Sequence, residues 1–399
     1  MIIKRSCLII LSLLILDLHC FAQATAASDS QVGMHRKYIN VYNWGEFMSN
    51  GSDGLLNVNL EFEKATGIHV NYSTFSSNEE MYAKLKSSNV VYDVIFPSDY
   101  MISKMISEKF LAKLNFENIP NFKNIFANFK NLEYDPQNLY SVPYLWGVVG
   151  IVYNKNLVQK PVKWFDALWD KDLAKNILMF MNSRDSFGIA QKKLGVSFNT
   201  KSKADILNAA EELRKQKKLV QAYVMDEIFD KMQSEEAAIA PYYSGDALVM
   251  MKNNPNLDFV IPLNGTNRFV DAACVPANSE KKGWAELYIN FLCDPKIALN
   301  NALYSGYSTP NELAYTMLPE RIKNNKVAYP EQDVLSKTEC YVYNSKEINE
   351  LIDSLWIDIM IADEDNNVWV MPAFIVVCMI ALISTNVIRS RLKKVNSKI

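Results

Sequence analysis

The apolar and polar positions of the first third of the chain fall into short strand patterns separated by longer helical ones. Tyr38–Trp44 reads as a strand. An amphipathic helix follows around Leu55–Ala65, closed by Thr66-Gly67. "IHVNYSTF" (68–75) reads as a second strand and leads into "SNEEMYAKLKSS", where Ser77 or Asn78 can cap a helix start with Glu80 in its first turn. "YDVIFPS" (92–98) is a third strand before a helix over 99–109. Strand, helix, strand, helix, strand implies a parallel sheet with right-handed crossovers. Residues 119–147 are loop-rich, and "VVGIVYN" (148–154) is again a strand. A second α/β set follows: "ILMFM" with a turn and helix, helices near 203–217 and 226–236, strand "AAIAPYY", helix 245–252 and strand "DFVIPL". After the strand "RFVDAACVP", helices are expected over 280–292 and around 296–303, and 311–366 reads as helical and polar. The chain shows no internal repeat, no low-complexity linker and no glycine-rich phosphate loop, which argues against a nucleotide enzyme.

With 399 residues the chain is too long for one compact core, so two lobes are expected. The ends add a membrane context. Lys4 and Arg5, an apolar run from Cys7 to Leu16 and the small-residue pattern Ala22-Gln23-Ala24-Thr25-Ala26 make residues 1–26 a secretory signal. Cys20 raises lipidation as an alternative, although Asp17-Leu18-His19 lacks the usual small residues. Val368–Ile388 is 21 residues without a charge, followed by Arg389, Arg391, Lys393, Lys394 and Lys398. That is a transmembrane helix with a basic cytoplasmic tail over 389–399, the alternative being a buried core helix. Residues 27–367 then face outward. They hold 35 basic and 43 acidic residues, a net charge of −8. This balance does not suit nucleic acid and mildly favours cationic ligands. Of six cysteines, only Cys274, Cys293 and Cys340 lie outside the signal and the span, with no metal or disulfide spacing and free thiols as the expected state.

In open α/β sheets ligands bind beyond the carboxyl ends of the strands. Trp44 and Glu46 follow the first strand. Ser98, Asp99 and Tyr100 follow the third. Asn182 and Asp185 follow "ILMFM", Tyr243 and Asp246 follow "AAIAPYY", and Phe269 and Asp271 flank the strand 268–276. Aromatic faces attract cations and carboxylates pair with ammonium groups, so acids spaced among aromatics suit a linear alkyl polyamine. Strand-end aromatics also serve as packing, and Asp99 and Asp246 could be helix caps. Catalysis is poorly supplied: the chain has only His19, His35 and His69, too few for a His-rich zinc site, and a Ser-His-Asp set would have to use His69.

These residues carry a family likeness. "YNWGEF", "FEKATGIHVNYSTFSSNEEMYAKL", "YDVIFPSDYMISKM", "YSVPYLWGVVGIVYN" and "SGYSTPN" resemble the extracytoplasmic spermidine/putrescine-binding proteins of ABC transporters, block for block, over nearly all of residues 38–345. The resemblance implies a two-lobe, type II-like periplasmic-binding-protein fold that closes on its ligand, with chain crossings near 144–150, 268–272 and 307–311. Lobe 1 is then residues 36–146 and 271–308, and lobe 2 residues 147–270 and 309–366. It implies an aromatic box of Trp44, Tyr100, Tyr243, Phe269 and Tyr307. It makes Asp271 the acid that grips an amine, Asp185 a second acid on the other lobe, and Ser98 and Glu46 lesser polar contacts. Asp246 matches an acid of putrescine-preferring relatives. The implied partners are putrescine or spermidine, an ABC permease and its ATPase, with no cofactor and no catalysis. The chain departs from the family at Asn182, where a spermidine binder tends to have Asp, and at Tyr243 and Phe269, which are often Trp. A C-terminal polar contact falls near Cys340 or Tyr341, and the C-terminal span is unusual. Two other readings stand beside this one: a ferric-iron receptor using Tyr242 and Tyr243, and a membrane-tethered glycosidase-like hydrolase using Asp185 and Asp271.

Overall fold

The computed structural model describes residues 37–362. The signal over 1–26, the span over 368–388 and the tail over 389–399 lie outside the described residues. Among the described residues no helix is long and apolar enough to cross a membrane.

Nine strands form a sheet path in the order β2-β1-β3-β9-β4-β7-β5-β6, with β8 also paired to β4. β1 (Tyr38–Trp44) runs parallel to β2 (His69–Phe75) and to β3 (Val94–Ile95), as the alternating pattern implies. The whole sheet is not parallel, however. β9 (Arg268–Cys274) is antiparallel to both β3 and β4 (Ser141–Asn154), and β7 (Ile239–Tyr243) and β8 (Leu257–Val260) are antiparallel to β4. β5 (Ile177–Phe180) is parallel to β7 and to β6 (Val220–Val224). The result is a mixed α/β architecture.

β4 is the element that differs most from the sequence reading, which began it at Val148. It starts at Ser141 and is buried along almost its full length. Pro143 lacks the N–H that a ladder position needs, and the pairing with β9 shifts register between Pro143 and Leu145 to pass it. Residues 141–148 of β4 pair with β9, and residues 149–154 pair with β7 and β8.

Two hydrophobic cores meet along this strand. The first gathers Ile39, Val41, Phe62, Ile95, Met101, Val148, Val270 and Ile289, and the second gathers Val149, Ile151, Phe165, Phe180, Leu213, Ile239 and Phe269. The backbone therefore passes from one core to the other between Val148 and Val149 and again between Phe269 and Val270. The last helix, Lys346–Ile361, joins the second core through Ile348, Leu355, Trp356 and Ile359.

Local chemistry sets the helix starts that matter for the site. Ser77 caps the Asn78–Ser87 helix by accepting the Glu80 N–H, and the Glu80 carboxylate reaches back to the Ser76 N–H at 2.9 Å. The first helix begins at Val58 rather than Leu55, because Asn57 supplies its cap, and ends at Gly67 in a left-handed conformation. β3 is much shorter than the strand read over 92–98. Residues 311–361 form three short helices and one long one. Cys274, Cys293 and Cys340 are buried free thiols.

Candidate ligand-binding cleft

The strand ends and the helix starts after them bring most of the expected residues to the seam between the two cores. Trp44 closes β1 half-buried, with its indole N–H donated to the Phe96 carbonyl at 2.9 Å. Its ring lies 4.6 Å from Phe75 and 6.0 Å from Phe47. From there an aromatic chain crosses the seam. Phe47 meets Tyr307 at 5.0 Å, Tyr307 meets Phe269 at 6.0 Å, and Phe269 meets Tyr243 at 5.3 Å. Four of the five expected box aromatics are thus linked, with Phe47 as a joining ring.

Two glycines hold this chain in place. A Cβ on Gly147 would stand 2.6 Å from Phe269 Cζ, and one on Gly245 would stand 2.8 Å from Tyr307 ring atoms. Neither ring could stay where it is beside an alanine.

The acids lie along the same seam. Asp271 is 3% exposed and forms a bridge across the backbone to Ser98, whose hydroxyl donates to Asp271 Oδ1 at 2.6 Å. Asn78 fixes Ser98 in turn, donating to its hydroxyl and accepting from its N–H, both at 3.0 Å. Burial pushes the Asp271 carboxyl up to about 7, against the opposing effects of the Ser98 hydrogen bond and the Arg184 charge. Asp246, in the first turn of the Ser244–Asn253 helix, is likewise pushed up to about 7 by burial, opposed by its hydrogen bond with Tyr307. Asp185 is 3% exposed on the Ser183–Lys193 helix and accepts from the Tyr243 hydroxyl at 2.7 Å.

Asn182 is the cap of that helix. It accepts the Asp185 N–H at 2.8 Å and donates to the Asp185 carboxylate at 2.9 Å, so its polar atoms orient Asp185. Glu46 is exposed and accepts from the Tyr304 hydroxyl at 2.6 Å, apart from the buried acids. Tyr100 is half-buried and donates to Glu79 at 2.7 Å. Of the two C-terminal positions considered, Tyr341 reaches the site, donating to the Arg184 carbonyl at 3.2 Å, while Cys340 is buried.

Sequence reasoning missed Asn78 and Arg184, gave Phe47 no place in the aromatic box, and left Asp99 open between a strand-end acid and a helix cap. Asp99 is 1% exposed, and one of its carboxylate oxygens has no hydrogen-bond partner. Burial holds its carboxyl well above the usual range, opposed by the Tyr100 N–H and by Arg184. The guanidinium of Arg184 lies 3.6 Å from the Tyr100 ring centroid and 3.3 Å from Asp185. A signal for it was present: a basic residue in the first turn of a helix opposes the macrodipole and calls for an explanation.

The profile of the bacterial extracellular solute-binding proteins matches residues 60–331. The spermidine/putrescine-binding periplasmic protein of Salmonella typhimurium is 36% identical over 301 residues, covering 75% of this chain and 84% of that protein. This chain belongs to the bacterial extracellular solute-binding protein family. The family is one of transport components rather than enzymes. A second relative of this solute-binding protein, the spermidine/putrescine-binding periplasmic protein of Escherichia coli (strain K12), is 35% identical with the same coverage of both chains. Among solved structures, the spermidine/putrescine ABC transporter substrate-binding protein PotD of Streptococcus pneumoniae superposes with a TM-score of 0.73 at 34% identity, covering 81% of this chain and 98% of that one. The likeness read from the sequence blocks is borne out.

The two competing readings find less support in this geometry. Tyr242 is 2% exposed in the second core, stacked on Phe180 at 5.6 Å, while the Tyr243 hydroxyl turns to Asp185. The two rings lie 5.2 Å apart, but Tyr242 is buried and the Tyr243 hydroxyl is already committed to Asp185. His69 pairs with Glu63 at 2.9 Å, at the opposite end of β2 from Phe75 and Trp44, and cannot serve as a base for the cleft acids.

Proposed function

We propose that this protein is the extracytoplasmic receptor of a polyamine importer. Its two lobes close on a protonated linear polyamine of the putrescine or spermidine class and present it to an ABC permease with its ATPase partner. The observation that carries this reading is the pairing along one seam of buried carboxyls with a continuous run of aromatic rings.

Each ammonium of a polyamine loses hydration on burial and needs a charged or hydrogen-bonding partner. Asp271 and Asp246 are the acids assigned to that task, with Ser98 orienting Asp271 and Asn182 orienting Asp185. The methylenes between nitrogens need apolar walls, and Trp44, Tyr243, Phe269 and Tyr307 supply them along with cation–π attraction of about 0.5–2 kcal/mol each. Tyr100 closes one end of the row and Glu46 stands at the exposed rim. The spermidine/putrescine specificity of the curated relatives supports the same ligand class.

A ligand that binds only the native state raises its melting temperature, by an amount that grows with the logarithm of ligand concentration over Kd. Putrescine or spermidine is expected to raise the melting temperature of the full-length chain, and butane-1,4-diol, which has the same carbon chain without charge, is not. Equal shifts with the diamine and the diol would remove the acids from the account.

The receptor is further proposed to be exported by residues 1–26 and held at the membrane by Val368–Ile388, with the basic tail inside. Tethering would raise its effective concentration beside the permease. On cell fractionation the full chain is expected with the membranes, and a chain ending at residue 366 in the soluble extracytoplasmic fraction. Membrane association of the shortened chain would speak against the tether.

A further inference from the structure

The features that recognise an ammonium in this cleft are already engaged at one end by a cation of the protein itself. Arg184, on the Ser183–Lys193 helix of the second core, lays its guanidinium 3.6 Å above the Tyr100 ring and 5.6 Å from the Tyr341 ring. Its Nη2 donates to Asp185 Oδ2 at 3.3 Å, and its Nη1 stands 4.0 Å from Glu79 Oε1. Tyr100 and Glu79 belong to helices packed on the first core, so the contact spans the seam. The side chain is 27% exposed, and the guanidinium replaces much of its hydration with an aromatic face and two carboxylates. This is the partner set that a terminal ammonium of a polyamine requires.

The remaining acids differ in their partners. Among the described residues no basic side chain forms an ion pair with Asp271 or Asp246. Asp271 has the Ser98 hydroxyl and Asp246 has the Tyr307 hydroxyl. Asp99, 1% exposed, uses one carboxylate oxygen to accept the Tyr100 N–H and feels the Arg184 charge. The cleft thus offers two carboxyls hydrogen-bonded by hydroxyls and without an ion pair, and another, Asp185, already matched with a positive charge.

We infer that Arg184 is a resident cation occupying the third ammonium position of the cleft, so that a diammonium ligand binds with Arg184 in place and the third ammonium of a triamine must displace it from Tyr100 and Asp185. The inference rests on the polyamine reading and adds a determinant of ligand length. Its position in the first helical turn, where the macrodipole disfavours a cation, agrees with a residue kept for its contacts across the seam rather than for helix stability. Removing the charge leaves Asp185 with only Asn182 and the Tyr243 hydroxyl, free to take an ammonium instead.

The test is calorimetric titration of the full-length chain, its Arg184→Gln variant and its Arg184→Lys variant with putrescine and with spermidine. Arg184→Gln keeps the side-chain length and loses the charge. Its ratio of putrescine to spermidine affinity is expected to shift toward spermidine by about tenfold or more. Arg184→Lys, which retains the charge, is expected to stay near the parent ratio. A ratio unchanged in Arg184→Gln overturns the inference, and so does a loss of affinity for both ligands in equal measure, which would make Arg184 a clasp between lobes only. A parent chain silent to both polyamines would overturn the polyamine reading itself, an outcome distinct from either.

Discussion

Asp271 concentrates the account at the scale of a single residue. Its carboxyl is almost fully buried and has one hydroxyl partner, so burial raises its pKa instead of stabilising the fold. Replacing it by Asn removes the charge an ammonium would pair with, and leaves that ammonium buried without a counter-ion. Asp271→Asn is expected to cost about 2–5 kcal/mol of polyamine binding while leaving the melting temperature in the absence of ligand unchanged or higher. Affinity within a few-fold of the parent would remove Asp271 from the site. The raised values also set a pH dependence. An ammonium favours the ionised acid, so binding expels protons from Asp271 and Asp246. Affinity should therefore fall as pH is lowered through about 7, by up to about tenfold per unit for each acid that must ionise. The groups facing them, Ser98 and Arg184 at Asp271 and Tyr307 at Asp246, do not titrate within that window. For the fold itself the sign is opposite. A raised acid binds its proton more tightly folded than unfolded, so its stabilising effect is complete below about 4 and is lost as pH rises through about 7. Calorimetry at pH 5.5 and pH 8 separates the two effects.

At the scale of elements, the site depends on where strands stop and how closely the next helix can approach. Gly245 stands in the first turn of the Ser244–Asn253 helix, directly after β7, and lets the Tyr307 ring lie against the backbone. Gly245→Ala should destabilise the fold by about 1–3 kcal/mol through overpacking and weaken polyamine binding as Tyr307 is displaced. A variant with unchanged affinity and stability would show that the ring has room to move without consequence. The strand ends were legible in the sequence because β1, β2, β5, β7 and β9 carry clear apolar runs with acids or aromatics at or next to them. The seven residues of β4 before Val148 were not legible. Pro143 reads as a break, and the segment is a strand only because β9, more than a hundred residues later, pairs with it. β6 was missed for a related reason, since Val220–Val224 has the length and mixed polarity of a loop and is held by its pairing with β5. Arg184 was hidden among charged and polar neighbours. Its role depends on Tyr100 and Glu79, which the sequence places some eighty to a hundred residues away.

At the scale of the molecule, two cores share one sheet path, and the chain crosses between them within β4 and β9. Crossings carried by paired strands provide a stiff axis about which two bodies can close, with the ligand's contacts divided between them. Asp271 and Ser98 stand on elements of the first core, and Asp185, Tyr243 and Asp246 on elements of the second. A polyamine that pairs with both sets would favour the closed arrangement by its differential affinity for it. Trp44 takes its meaning from this scale. Its N–H is fixed to Phe96, its ring is the first of the aromatic chain that crosses the seam, and it is proposed as a wall for the ligand rather than core filler. The most direct measurement is a calorimetric titration of the full-length chain with putrescine and with spermidine at neutral pH. The account predicts a saturable heat with one polyamine bound per chain and a Kd well below millimolar. No saturable heat with either polyamine, up to millimolar ligand, would contradict it.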